Sequence, residues 1–398
     1  MAEKILILCN TFPPEMGAAS SRLYKMAKVL MEEGYEVSVL TVLPNYPTGK
    51  IFPEYKNRLF IQEEIEGMKV YRLAVIPSNS KLIFPRMASM ATHAGLLFTV
   101  GWSKLIKVHP DLIIVNTPSI INGFSGSLIA EWSKTKILLN ISDLYPITAQ
   151  VLGVLKFGHR YRFLEWLERR MYKRAHAFLC QSQEIVDHIA PFNTEGRPVM
   201  LYRNLHDTHT DWKTKKPSEK IKIVYTGLLG VAQGVLGICE HINFSKLNVE
   251  FHIYGQGPEE KAIEKFALQH PDRGLFPHGN VSEAKIPEIL SNADAMIIPL
   301  TQYLPGAFPS KVYLAMSNGV PSLFLGSGEA AQLIIDHDLG WVCQPQSYEQ
   351  LEKQIQKLTQ LSFEERWAWR KKIVAVQQQH FNKNHQDTSF LNFVKNLI

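Results

Sequence analysis

Short apolar runs alternate with amphipathic stretches along most of the chain. Residues 5–8 form a four-residue apolar run, and a Pro- and Gly-bearing loop from Cys9 to Ala19 follows it. From Ser20 or Ser21 onward, Leu23, Met26, Ala27 and Leu30 recur at the 3.6-residue spacing of a helix with one buried face, which Gly34 ends. Apolar runs at 37–42, 112–115, 137–141, 178–180 and 199–202 predict further strands, mostly separated by helical stretches. Residues 208–220 break the rhythm: they are polar, charged and carry Pro217, so they read as a linker. A second series of strands is predicted at 222–225, 249–254, 295–299 and 322–325, and from Tyr348 the chain turns helical. Alternating strands and helices predict an α/β fold with parallel, doubly wound sheets, one in each half.

Size and composition fit that reading. At 398 residues the chain exceeds one ordinary core, and 45% hydrophobic with 20% charged residues is the balance of a soluble globular protein. No apolar run approaches the roughly 18 residues of a bilayer span. The opening Met1-Ala2-Glu3-Lys4 leads straight into a strand and not into a signal peptide. Cys9, Cys180, Cys239 and Cys343 are widely spaced, without a disulfide framework or a C-x-x-C pattern, so a reduced, cytoplasmic compartment is expected. The net charge of +6 is uneven: 159–176 holds Arg160, Arg162, Arg169, Arg170, Lys173 and Arg174 against Glu165 and Glu168, with Leu164, Trp166, Leu167 and Met171 interleaved. Such a helix either lies on anionic lipid or packs its apolar stripe on its own domain, the commoner case.

The most informative stretch is 308–321, Phe-Pro-Ser-Lys-Val-Tyr-Leu-Ala-Met-Ser-Asn-Gly-Val-Pro, set between two apolar runs. Gly306 and Pro309 break the chain, Ser310 is placed to cap a helix, and Lys311 falls in its first turn. A lysine there opposes the helix dipole, unless an anion is bound at the helix start. A phosphorylated ligand is therefore expected. Asp336-His337-Asp338 and His206-Asp207-Thr208-His209 match metal-binding spacings on paper, but the first falls where a helix ends before Gly340 and reads as surface charge, and the second lacks further ligands, so no metal is expected.

Further marks appear in order: Thr11-Phe12-Pro13-Pro14 with Gly17; Pro44 to Lys50; Asp143-Leu144-Tyr145-Pro146; Thr226-Gly227 through Gln233-Gly234; Gly255-Gln256-Gly257-Pro258; Pro309-Ser310-Lys311; and Gly328-Glu329-Ala330-Ala331. With these the sequence resembles the family 4 glycosyltransferases of the GT-B fold, and more narrowly the branch of N-acetyl-L-fucosamine and colanic-acid-type transferases of bacterial polysaccharide assembly. The resemblance implies two Rossmann-like domains facing a cleft. The acceptor domain would be 1–205, joined by a crossing helix at about 381–398, and the nucleotide-sugar domain 206–380. It implies transfer with retention from a UDP-sugar, such as an N-acetylated deoxy amino sugar, with no obligatory metal or other cofactor. The acceptor would be polyprenyl-diphosphate-linked or a glycan, and nucleic acid is not a partner. The protein would sit peripherally on the inner face of the bacterial cell membrane, where the basic helix and the apolar segment 96–102 find a use.

A diphosphate leaving group calls for preorganised N–H donors and cations. The candidates are Gly17, Gly227, Gln233, Gly306, Ala307, Phe308, Ser310 and Lys311. By resemblance Gly255 and Gly257 approach the nucleotide, Asn280 and Val281 offer backbone groups to the uracil edge, and Asp143 serves the acceptor or the donor sugar. A carboxylate there orients a hydroxyl or moves a proton, or else Asp143 simply caps the next helix. Glu15 reads as a solvated loop residue. Three departures stand out. Leu228 and Gln233 replace the Arg and Lys that the wider family aims at the diphosphate. Gly306 and Leu314 replace its acidic pair, the second of which takes the ribose hydroxyls, with Glu329 the nearest substitute. Ser142 stands where many members have histidine. Two other functions fit the architecture: a nucleotide-sugar epimerase, and a degenerate binding or scaffold protein.

Overall fold

The computed structural model describes the chain apart from residues 1, 16, 47–48, 77–91, 93–94, 96, 98–101, 104–107, 118–119, 211 and 213–219. Most of the apolar segment 96–102 and of the linker 208–220 therefore lies outside the described residues. The chain forms two compact units: Met1–Asn204 with Leu304–Ala307 and Asn384–Ile398, and Leu205–Tyr303 with Phe308–Lys383.

Among the described residues the first unit is built on eight strands: β1 (Lys4–Leu8), β2 (Glu36–Val42), β3 (Phe60–Ile65), β4 (Met68–Leu73), β5 (Leu112–Asn116), β6 (Lys136–Ile141), β7 (Ala177–Cys180) and β8 (Val199–Leu201). They lie in the order β3-β4-β2-β1-β5-β6-β7-β8. All neighbours are parallel except β3 and β4. Order reverses at β1, so the crevice at its carboxyl end is the topological switch point. Ile5 and Ile7 enter one apolar layer, Leu6 and Leu8 the other. Helices α1 (Ala18–Glu32), α2 (Ile120–Trp132), α3 (Ile147–Val151), α4 (His159–Arg174) and α5 (Gln183–Ile189) belong to this unit. Helix α1 starts at Ala18 behind Gly17, with no side-chain cap, rather than at Ser20 or Ser21. The β3–β4 hairpin was not expected. Its strands carry Gln62, Glu63, Glu64 and Lys69, and its turn places Glu66 and Gly67 at positive φ, 48° and 85°, the conformation favoured in two-residue hairpins.

The second unit holds β9 (Ile221–Thr226), β10 (Val249–Tyr254), β11 (Leu275–Gly279), β12 (Ala295–Pro299), β13 (Ser322–Leu325) and β14 (Gly340–Cys343), all parallel in the order β11-β10-β9-β12-β13-β14. Its helices are α6 (Val235–His241), α7 (Glu260–Gln269), α8 (Ile286–Ser291), α9 (Lys311–Ser317), α10 (Glu329–Asp336), α11 (Tyr348–Gln360) and α12 (Phe363–His380). Here the order reverses at β9. Helix α12 opens with a reciprocal Ser362–Glu365 capping box. The last helix, α13 (Lys383–Lys395), returns to the first unit and buries Phe390 and Val394 fully in the layer that also holds Leu23 and Leu30 of α1. Both units are doubly wound α/β sheets.

Candidate functional site

In the second unit two glycine loops leave the sheet side by side, because β9 and β10 are neighbours. The Gly227 N–H donates to the Tyr254 carbonyl at 2.9 Å and the Leu229 N–H to the Gln256 carbonyl at 2.9 Å. The Gly255 N–H donates to the Gly279 carbonyl at 2.7 Å, which ties in the end of β11. A Cβ at Gly255 would lie 1.8 Å from the Gly227 carbonyl oxygen, and one at Gly257 would lie 2.5 Å from that of Leu229. Backbone packs directly on backbone, which only glycine permits.

Lys311, the first residue of α9, lays its side chain on the same loop. A Cβ at Gly227 would stand 2.8 Å from Lys311 Cε and 3.0 Å from Nζ. The ammonium lies 5.2 Å from the centroid of the fully buried Tyr225 ring, and the Tyr225 hydroxyl donates to the Leu228 carbonyl. Among the described residues nothing acidic pairs with this ammonium and no acceptor bonds it. Burial pulls its pKa down from 10.5 to about 8. The residue keeps partial exposure, so at neutral pH it is an uncompensated cation that a ligand can reach.

The other candidates of this unit divide. Ser310 precedes α9 but its side chain makes no cap, contrary to expectation. Phe308 is 4% exposed and stacks on Tyr313 with centroids 4.6 Å apart. It belongs to the core rather than to a ligand-lining surface. Gln233 donates its N–H to the Gly230 carbonyl at 3.0 Å, while its side-chain oxygen is buried without a partner among the described residues. Asn280 and Val281 come directly after β11, Asn280 exposed. Glu329 opens α10 behind Gly328, whose φ is 81°. Leu314 packs into an apolar layer of this unit.

Gly306 and Ala307 group with the first unit. The Gly306 N–H donates to Glu184 at 2.7 Å and its carbonyl accepts from the Ser182 hydroxyl at 2.8 Å. A Cβ there would strike Leu144 at 2.8 Å. Both backbone groups of Gly306 are thus engaged by side chains of that unit, and its N–H is not offered to a phosphate.

At the switch point of the first unit, Gly17 is the N-cap of α1, with φ 155°. A Cβ on it would touch Tyr46 at an ordinary 3.4 Å. The loop before it is braced from two sides. Glu15, only 3% exposed, accepts the N–H groups of Asn45 and Tyr46 at 2.8 Å each and of Phe12 at 3.3 Å. The solvated role expected for Glu15 is therefore wrong: it clamps two loops, and burial raises its pKa despite the three N–H donors. Arg72, fully buried, pairs with Glu63 and donates to the Pro13 carbonyl. Asp143 lies beyond the end of β6. The N-cap of α3 is Pro146, not Asp143, so the capping alternative falls. The Asp143 carboxyl has no hydrogen-bond or charge partner among the described residues. Burial alone raises its pKa from 3.8 to about 6.

The two metal-like spacings are occupied otherwise. Asp338 pairs with Lys372 at 2.7 Å and Asp207 with Lys383 at 3.2 Å. Among the described residues no three His, Cys, Asp or Glu side chains converge, and no helix is long and apolar enough to cross a membrane.

Comparison with known proteins bears on both halves. Residues 17–204 match the family described as Glycosyl transferase 4-like domain, and residues 207–374 match Glycosyl transferases group 1. WcaI of Escherichia coli (strain K12), described as a putative colanic acid biosynthesis glycosyl transferase, is 22% identical over 319 residues, 74% of this chain and 76% of its own. Among solved structures, a sucrose-phosphate synthase from Thermosynechococcus elongatus superposes with a TM-score of 0.76 at 16% identity, covering 99% of both chains. WaaG, a glycosyltransferase involved in lipopolysaccharide biosynthesis, gives 0.64 at 16% identity over 97% of this chain and 98% of its own. Anabaena HepE, in complex with UDP and glucose, gives 0.66 at 13% over 99% and 100%. Two adjoining family matches that leave out little beyond the chain ends, on a GT-B scaffold, make this chain a member of the glycosyltransferases, with a 4-like domain followed by a group 1 domain.

Proposed function

We propose that the chain moves a sugar, with retention, from a UDP-sugar to a lipid-linked or glycan acceptor in cell-surface polysaccharide synthesis. The observation that carries this is the Lys311 ammonium, resting on glycine loops at the strand ends of the second unit with no acidic partner among the described residues. A diphosphate supplies the missing negative charge, and its developing charge on departure is what such a cation stabilises. In this reading the first unit receives the acceptor at its switch point, where Asp143 orients a hydroxyl and the leaving phosphate takes the proton. The names of WcaI and WaaG supply the polysaccharide context, and the UDP bound to HepE supplies the nucleotide.

The membrane side of the proposal rests on α3, α4 and the turn between them. Leu152, Phe157, Phe163 and Trp166 are 46%, 65%, 57% and 46% exposed. Arg162 lies over the Phe157 ring and Arg170 over Trp166. Aromatic and aliphatic groups interleaved with guanidinium groups suit the boundary of an anionic bilayer, here that of the inner face of the cell membrane. Calorimetric titration with UDP tests the donor reading. Lys311→Ala is expected to weaken binding by about 1.5–3 kcal/mol, the range of charge-assisted hydrogen bonds. A variant that binds UDP as tightly as the parent sinks the donor reading.

A further inference from the structure

If the Lys311 ammonium meets a diphosphate, something must hold it in place before the diphosphate arrives. Lysine is a flexible point charge, and at the first residue of α9 it opposes the helix dipole. Among the described residues no carboxylate fixes it. Glu259, whose charge reaches Tyr225, already accepts the Leu236 N–H at 3.2 Å. The ammonium instead lies over the Tyr225 ring and passes close to Gly227.

Resting on the donor reading, we propose that Tyr225 is a positioning residue of the donor site: its ring holds the Lys311 ammonium over the glycine loop, and its hydroxyl fixes the turn on which that ammonium rests. An aromatic face attracts a cation through its quadrupole but carries no net charge. It therefore orients the ammonium without neutralising it, whereas a carboxylate in the same place would compete with the incoming phosphate. The hydroxyl acts separately. By donating to the Leu228 carbonyl it links the last residues of β9 to the loop they lead into, and that loop carries Gly227. Gly227 in turn has no Cβ where the lysine side chain passes. One buried side chain thus bears both on the ring beneath the cation and on the loop beside it.

The test uses UDP as probe and the full chain as protein. Tyr225→Phe keeps the ring, Tyr225→Leu removes it, and Tyr225→Phe analogues bearing one, two or three ring fluorines drain the quadrupole while keeping the shape. Tyr225→Phe is expected to hold UDP affinity within a few-fold. Each added fluorine is expected to weaken it further, and Tyr225→Leu to weaken it by roughly three- to thirtyfold, the span of a cation–π contact from exposed to desolvated. In a Lys311→Ala background the same ring changes are expected to have no effect on UDP affinity. Affinity that stays flat across the fluorine series, or falls equally with and without Lys311, overturns the proposal. Because the fluorinated rings fill the same space, the series decides the matter even if Tyr225→Leu fails to fold. If Lys311→Ala alone leaves UDP binding unchanged, it is the diphosphate reading that falls, and this inference with it.

Discussion

Replacing Asp143 by asparagine separates what this carboxyl costs the fold from what it does for the reaction. Burial raises its pKa from 3.8 to about 6, with no cation or N–H donor among the described residues to offset it. The folded state therefore favours the protonated form. Below about pH 4 the group is protonated in both folded and unfolded chains and costs nothing. The penalty grows as pH rises through about 6 and is complete above it. About two pKa units at roughly 1.36 kcal/mol each put it on the order of 3 kcal/mol. Asparagine cannot ionise. At about pH 7.5, Asp143→Asn is expected to be more stable than the parent by roughly 1–3 kcal/mol, a rise in Tm of several degrees at about 2–4 °C per kcal/mol. At about pH 4 the two melting curves are expected to converge. Sugar transfer, read as acceptor-dependent UDP release, is expected to drop by roughly ten- to a hundredfold, the scale of a lost hydrogen bond from the acceptor hydroxyl to a charged carboxylate. The parent's transfer rate is expected to climb with pH through about 6. Coincident melting curves at neutral pH would show the carboxyl to be solvated, and an asparagine variant with full turnover would remove Asp143 from the chemistry.

Gly255→Ala forces a Cβ to 1.8 Å from the Gly227 carbonyl oxygen, so the loops must part; a loss of stability of about 2 kcal/mol or more, with weaker UDP binding, is expected in melting and titration. Leu314→Glu is expected to lower transfer, since a carboxylate would enter an apolar layer; tighter UDP binding by that variant, with no turnover in the parent, would mark the site as a relic. The chain is expected to sediment with anionic vesicles and less so at high salt, and Phe163→Ser with Trp166→Ser to lower the bound fraction; binding indifferent to both changes would move any lipid contact off α4.

Strands buried on both faces were legible because they need near-continuous apolar runs; β1, β5, β6 and β12 are of this kind. The half-exposed β3 and the edge strand β11 were not, since Glu63, Glu64 and His278 interrupt any run. Lys311 announced itself through a local clash between its charge and the helix start. Its neighbour Tyr225 could not, because an apolar run looks the same whether its tyrosine serves a core or an ammonium. Glu15 and Arg72 were opaque for another reason. Their partners Asn45 and Pro13 lie 30 and 59 residues away, beyond the reach of any local pattern. Phe308 was drawn into the site by proximity to Ser310 and Lys311 in sequence, whereas the fold turns it inward against Tyr313.

The return of α13 to the first unit bears on how the chain is made. Synthesis delivers β1 to β8 first, but the layer holding Leu23 and Leu30 remains open until Phe390 and Val394 emerge. Burying those two side chains is worth about 1.5–3 kcal/mol each. The ribosome thus releases a first unit still lacking part of its core while the second unit, whose strands and helices α6 to α12 are by then in hand, can already close. Of the two units, the one made first is the last to be finished.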